Sequence, residues 1–382
     1  MAELLICGAE TYLEGKFQKA DVLCSDGCIT EIGPRLKRAN ATEIKAEGLR
    51  LVPGFIDIHT HGAAGVDVNA ADEAGLKKIA AFFASQGTTA WLASVLTDTE
   101  QQTLRCIRCI RAVMEESGYG AQLMGVHLEG PFLSPEYKGA MPEHLLQKGS
   151  AALFERYQKA AQGAVKYITV APEVEGVLEM IAAISGDVVV AIGHSGADYE
   201  TSMQAVENGA RCITHTFNAM KLFHQHFPAI MGAALETNTY CEAICDGRHL
   251  HPGTVRMLLK CKGWNRVVAI TDSIMAAGLP DGRYTLGVND VVVEQGDAKL
   301  ASTGVRAGST LTTGQALRNL TDFTGRPLEE VLPLLTENPA VALHMEQRKG
   351  RIRRGMDADM VLLDEALQVR TTIAGGTVVY SA

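Results

Sequence analysis

The chain has 382 residues, 47% hydrophobic and 21% charged, with a mean hydropathy near zero. That balance belongs to a globular protein with a sizeable core and excludes a disordered chain. A formal net charge of −9 and an isoelectric point near 5.7 exclude a nucleic-acid surface, which needs clustered Lys and Arg.

In chain order, alternating strand patterns come first, at residues 4–7, 21–24 and 28–32. From Leu51 onward one unit recurs: a short apolar, β-branched run, a polar or Gly-rich turn, then helical periodicity. Strands are expected at 51–58, 88–96, 122–128, 165–171, 188–192, 212–214, 240–245 and 266–271, and helices at 71–85, 99–116, 144–161, 199–208 and 254–261. Eight strands with crossover helices predict an α/β fold, a TIM-like (β/α)8 barrel over residues 51–347. Residues 282–299 read as a hairpin inserted after the eighth strand. The basic cluster Arg348-Lys349-Gly350-Arg351-Ile352-Arg353-Arg354 reads as a solvated turn. Alternation returns at 360–363, 369–373 and 377–380, so residues 1–50 and 348–382 are expected to form one small β-sandwich domain from both termini.

No run of about 18 apolar residues and no secretory leader pattern occurs, so a cytoplasmic location without membrane contact is expected. The nine cysteines follow no disulfide framework. Cys106 with Cys109, and Cys241 with Cys245, lack the partner pair of a structural zinc site, and all read as reduced thiols that pack as small apolar side chains.

In such a barrel chemistry gathers at the C-terminal ends of the strands. Strand one ends in DIHTHG, where His59 and His61, two residues apart on an extended chain, face the same way. Strand three ends in Glu129, strand five in His194, strand six in His215 and strand eight in Asp272. Singly, each has a structural explanation: a hydrogen-bonded core histidine, or an aspartate capping a helix. Together they fall at one edge of the barrel, where independent structural uses would scatter over both. Imidazole and carboxylate ligands suit a divalent metal, zinc first, with iron, manganese or cobalt as alternatives. Such an ion lowers the pKa of coordinated water from about 15.7 to about 7. A carboxylate in the cleft can then take and return the proton, and Asp272 is the candidate. Metal-assisted hydrolysis of a carbonyl compound is the expected chemistry.

The motifs PGFIDIHTHG, HLEGPF, GHS, THTFNAM, DGRH and TDS, in this order, resemble the amidohydrolase superfamily and within it the N-acetylglucosamine-6-phosphate deacetylases. The resemblance spans essentially the whole chain. It implies Glu129, His194 and His215 as ligands of a principal ion, His59 and His61 as ligands for a second, hence one or two ions, and Asp272 as catalytic base and acid. Hydantoinase-type relatives bridge two metals with a carboxylated lysine from strand four. Here strand four, KYITVAPE, ends without one, and Glu129 takes that place. Substrate contacts are implied at Ala140, Met141, Asn218, Ala219, His226, His249, Ala307, Gly308 and Ser309, and so is a homodimer in which the loop after NAM reaches a neighbouring subunit's site.

Relatives carry an HREPG-like stretch there whose Arg helps hold the sugar phosphate, whereas this chain reads HQHFPA, with His226 at the Arg position and Phe227 and Ala229 replacing Glu and Gly. An imidazole lacks the fixed, always-charged fork of a guanidinium, which predicts a reduced preference for phosphate. Deacetylation of N-acetylglucosamine 6-phosphate is the leading expectation. The alternatives are the same chemistry on an unphosphorylated, galacto-configured or differently acylated amino sugar, and a catalytically silent sugar-binding protein, against which every metal and acid/base position being filled argues.

Overall fold

A computed structural model describes residues 3–382. Eight parallel strands pair in sequence order: Phe55–Asp57, Thr88–Leu96, Gln122–Glu129, Val165–Val170, Val189–Ile192, Cys212–Ile213, Tyr240–Ile244 and Val267–Ile270. They are buried almost throughout, as helices cover the outside and side chains fill the inside. Each strand is followed by a helix, in turn Glu73–Ser85, Glu100–Met114, Ala151–Ala160, Val177–Ile184, Tyr199–Glu207, Ala229–Glu236, Pro252–Lys262 and Thr313–Thr324. Asp72, Thr99, Ser150, Asp198 and Thr312 start five of these helices by accepting a backbone N–H from the first turn.

The ring closes through the ends of its first and last strands. Thr271 Oγ1 donates to the Asp57 carboxylate at 2.6 Å, Asp272 N to His59 O at 2.9 Å and His61 N to Ser273 O at 2.7 Å. Closure and active-site edge are therefore the same residues.

Both termini contribute to a β-sandwich. One sheet runs Cys28–Gly33, Asp21–Ser25, Glu3–Cys7, Thr42–Lys45, and the other Thr377–Ser381, Val369–Ala374, Met360–Leu363, Arg50–Pro53, Glu10–Leu13, Lys16–Lys19. Leu4, Ile6, Val22, Leu51, Leu362 and Ile373 are buried in its core.

Four expectations need correction. The apolar run 51–58 is two strands, Arg50–Pro53 in the sandwich and Phe55–Asp57 in the barrel. They divide at Gly54, where a Cβ would stand 2.1 Å from Thr89 Oγ1; only glycine lets the backbone pass that close. The helix expected over 144–161 begins only at Ala151, after a short 3₁₀ turn, Glu143–Leu145. Gly149 lies against the Gly176 backbone and Ser150 is the cap. The inserted hairpin has three strands, Gly282–Leu286, Asn289–Glu294 and Asp297–Leu300, and packs on Leu96, Leu133, Met141 and Ile274 beside the barrel mouth. The basic cluster is not a wholly solvated turn, because Lys349 is buried. Its Nζ lies 2.6 Å from Asp359 Oδ2 and 2.9 Å from Asp357 Oδ2, and donates to Gln122 Oε1 at 2.9 Å. Two carboxylates from the following turn pull the ammonium under the barrel.

Among the described residues no helix is long and apolar enough to cross a membrane.

Candidate metal centre and active site

The strand ends deliver their polar side chains to one point. His194, His215 and Asp272 sit just past strands five, six and eight with φ of +49°, +25° and +48°. Each is a left-handed position that a non-glycine residue holds only when its surroundings enforce it. Glu129 closes strand three and occupies the centre. Its Oε1 lies 3.1 Å from His194 Nε2, 3.2 Å from His215 Nε2 and 3.3 Å from His59 Nε2, and its Oε2 lies 3.1 Å from His61 Nε2. Asp272 Oδ1 stands 3.2 Å from His61 Nε2 and 3.7 Å from His59 Nε2. The geometry is two triads, His59–His61–Glu129 and Glu129–His194–His215, sharing one carboxylate.

Hydrogen bonds on the far side of the rings orient them. His61 Nδ1 lies 3.1 Å from Ser94 O and His194 Nδ1 2.9 Å from Tyr137 O. A carbonyl can only accept, so both Nδ1 atoms carry a proton and the Nε2 atoms are the ones turned toward the carboxylates. They meet carboxylate oxygens at about 3 Å, and His194 Nε2 also meets His215 Nε2 at 3.0 Å. Such a cluster needs positive charge, supplied by protons on the rings or by a cation between them. This nitrogen and oxygen donor set, with its outer hydrogen bonds, fits a divalent metal ion.

The field agrees. Burial disfavours protonation of both strand-one imidazoles, yet Glu242, Glu129 and Asp272 hold His59 well above the ordinary histidine range, and Glu129 with Asp272 raises His61 to about 9. Burial likewise opposes ionisation of Asp272, but His59 and His61 outweigh it and hold its carboxyl below the usual value. The point where the six side chains meet is built for positive charge, and Asp272 beside it stays a carboxylate.

All of these residues except His59, which lies beneath, floor a cavity of about 440 Å³. Ala140, Met141, Asn218, Ala219, His249, Ala307 and Gly308 line its walls, and Asp246 Oδ2 accepts from His249 Nδ1 at 2.7 Å. Gly308 has φ +60°, and a Cβ there would stand 2.4 Å from Ile274 Cγ2 and 3.0 Å from Asp272 O, so the loop that supports Asp272 requires glycine.

Two expected contacts are not at the cavity. Ser309 is buried behind it, where its Oγ donates to Thr271 O at 2.5 Å and its N–H to Asp272 O at 2.7 Å. It supports the Asp272 turn and does not face a ligand. His226 lies on the exposed loop with Leu222, Phe223 and Phe227, which are 73%, 53% and 67% exposed, and does not reach the cavity of its own chain. Conversely, Tyr137, Lys138 and Arg306 line the cavity without having been singled out in the sequence. They lie in loops whose path no periodicity fixes, although Arg306 directly precedes Ala307. Arg306 pairs with Asp297 through Nε at 2.8 Å and Nη2 at 3.2 Å, while Nη1 has no partner among the described residues.

Residues 50–379 match the amidohydrolase family. The N-acetylglucosamine-6-phosphate deacetylase of Bacillus subtilis (strain 168) is 35% identical over 363 residues, 93% of this chain and 91% of that protein. The N-acetylgalactosamine-6-phosphate deacetylase of Escherichia coli O157:H7 is 34% identical over 94% of each chain. Among solved structures, the fold superposes with a TM-score of 0.92 and 30% identity, over 100% of both chains, on a Mycobacterium smegmatis N-acetyl-D-glucosamine-6-phosphate deacetylase. That protein is a mutant with one aspartate changed to alanine, in complex with N-acetyl-D-glucosamine-6-phosphate. The Thermotoga maritima N-acetylglucosamine-6-phosphate deacetylase superposes with a TM-score of 0.89 at 34% identity, over 99% of this chain and 100% of that one.

Proposed function

The chain belongs to the amidohydrolase family, and we propose that as a metal-dependent deacetylase it converts N-acetylglucosamine 6-phosphate to glucosamine 6-phosphate and acetate. The observation that carries this reading is the meeting of Asp272 with two imidazole–carboxylate triads on the floor of a cavity whose wall holds two cationic side chains.

Glu129, His194 and His215 would hold one divalent ion, and His59, His61 and Glu129 a second, with zinc the first candidate. These residues would give a bound ion the place from which it would supply Lewis acidity toward the amide carbonyl and acidify water. Asp272, ionised and 3.2 Å from His61 Nε2, accepts the proton of the attacking water. As the water oxygen bonds to the acetyl carbon and the C–N bond breaks, Asp272 returns that proton to the departing amine. The Ser309 N–H holds the Asp272 carbonyl, in a turn whose close approach Gly308 permits. His249, tied to Asp246, and Asn218 are placed to orient the sugar.

The phosphate, in this reading, is met by Arg306 and Lys138 on the cavity wall. Arg306 keeps donors beyond those engaged by Asp297, and a guanidinium suits phosphate better than the imidazole of His226. The loop bearing His226 has another use: its exposed Leu222, Phe223 and Phe227 form the apolar edge of a homodimer, with His224 and His226 offered to the neighbouring site. A phosphorylated sugar, which does not cross a membrane unaided, also suits a cytoplasmic enzyme.

A second reading, the galacto epimer, is favoured by the Escherichia coli N-acetylgalactosamine-6-phosphate deacetylase, as similar to this chain as the glucosamine enzymes are. Acetate release from both 6-phosphates and from unphosphorylated N-acetylglucosamine decides between them. The highest kcat/KM on N-acetylglucosamine 6-phosphate is expected, and a higher value on either other sugar would replace it as substrate.

A further inference from the structure

The interior of the barrel holds a carboxylate that no step above uses. Glu242, in the middle of strand seven, is fully buried. Its Oε2 accepts from His59 Nδ1 at 3.0 Å and from the backbone N–H of His215 at 2.9 Å. Its Oε1 lies beside the buried Tyr167 hydroxyl, with which it makes no well-formed hydrogen bond. Burying an ionisable side chain with so few partners is costly. The atoms it does engage belong to both triads: a ring nitrogen of His59 in one and the backbone of His215 in the other.

From this geometry we infer that Glu242 is a positioning residue for the His59 half of the metal centre. The inference rests on the reading of the two triads as metal ligands. Accepting from Nδ1, Glu242 turns the His59 Nε2 toward Glu129, as Ser94 O and Tyr137 O turn those of His61 and His194. Of the two triads, only the one containing His59 has a ring held by this carboxylate; the other receives only the hydrogen bond from the His215 backbone N–H. Glu242 therefore supports the second ion, in the half that contains His59, more than the first.

The test is metal binding rather than turnover. Chelator-stripped protein is titrated with Zn²⁺, and ions per chain and both affinities are read by competition and elemental analysis, for wild type, Glu242→Gln, His59→Gln and the double variant. Glutamine keeps the shape and an oxygen for the His215 amide while removing the charge, and thermal melts of the metal-free proteins verify folding. Two ions are expected in wild type. In Glu242→Gln the weaker site is expected to lose about 10- to 100-fold in affinity while the tighter one changes less than about threefold. The double variant should be no worse than His59→Gln, because Glu242 acts through His59. Unchanged affinities in Glu242→Gln, equal losses at both sites, additive losses in the double variant, or a single ion in wild type would each overturn the inference. A wild-type chain that binds no ion would instead overturn the metal reading beneath it.

Discussion

At the residue scale, proton transfer rests on one carboxylate. Asp272→Asn preserves size and hydrogen bonding but cannot accept a proton at that oxygen, so kcat is expected to fall by about 10²- to 10⁴-fold. Acetate-release assays paired with elemental analysis check this, and retained turnover would move the base elsewhere. Arg306→Ala is expected to raise KM for N-acetylglucosamine 6-phosphate about tenfold or more, as loss of a hydrogen bond to a charged group does. Turnover of unphosphorylated N-acetylglucosamine should stay the same; equal effects on both sugars would remove Arg306 from phosphate recognition. The six residues that converge at the barrel mouth were legible in the sequence because each closes or directly follows a strand, where this fold gathers its chemistry. Glu242 was not, for a physical reason. It lies in the middle of its strand, YCEAI, which is buried on both faces, so alternation does not mark which side is the barrel interior. Arg306 and Lys138 escaped because loop side chains meet only through the tertiary fold.

Elements were legible where a local signal starts or stops them. Asp72, Thr99 and Asp198 are side-chain caps within one residue of the expected helix starts, and the helices that follow them obey 3.6-residue periodicity, whereas the Ser150 cap was passed over and the helix after Thr312 was not expected. The misreadings arose where tertiary proximity overrode a local pattern. An apolar run through Gly54 looks continuous along the sequence, but the chain changes sheets there because the Thr89 side chain occupies the space a Cβ would take. Gly54→Ala is therefore expected to destabilise the protein by about 1–3 kcal/mol, the usual cost of overpacking, without removing ligands. A urea midpoint shift with normal Zn²⁺ binding checks this, and an unchanged midpoint would show that the crossover has slack.

For the whole molecule, the barrel could be read from eight repeats of one unit and the sandwich from matching patterns at the two ends. What joins them could not, since Lys349 meets Gln122, the first residue of barrel strand three, across 227 positions. Lys349→Met leaves Asp357 and Asp359 without their buried cation and is expected to cost about 3–5 kcal/mol. Burial alone would lower the Lys349 pKa, but the two carboxylates more than offset it and raise it above the ordinary 10.5. A raised lysine pKa stabilises in full below 10.5 and loses that contribution as pH climbs through the folded value. The stability gap between wild type and Lys349→Met should thus be constant from pH 7 to 10 and narrow above it; a gap that widens there would reverse the sign assigned to the pair. At the same scale, Leu222→Asp with Phe227→Asp is expected to convert a dimer to monomer by light scattering and to raise KM. A wild-type monomer would deprive the exposed loop of its assigned partner.

The central claim, that this centre is a metal-dependent deacetylase site, is tested most directly by acetate release from N-acetylglucosamine 6-phosphate by metal-stripped enzyme titrated with Zn²⁺, Fe²⁺, Mn²⁺ or Co²⁺. No turnover is expected in the stripped protein, and activity is expected to rise with the ions bound for at least one metal and to be abolished when His194 or His215 is replaced. Full activity in the stripped protein, or no acetate with any of the four ions, would contradict the claim.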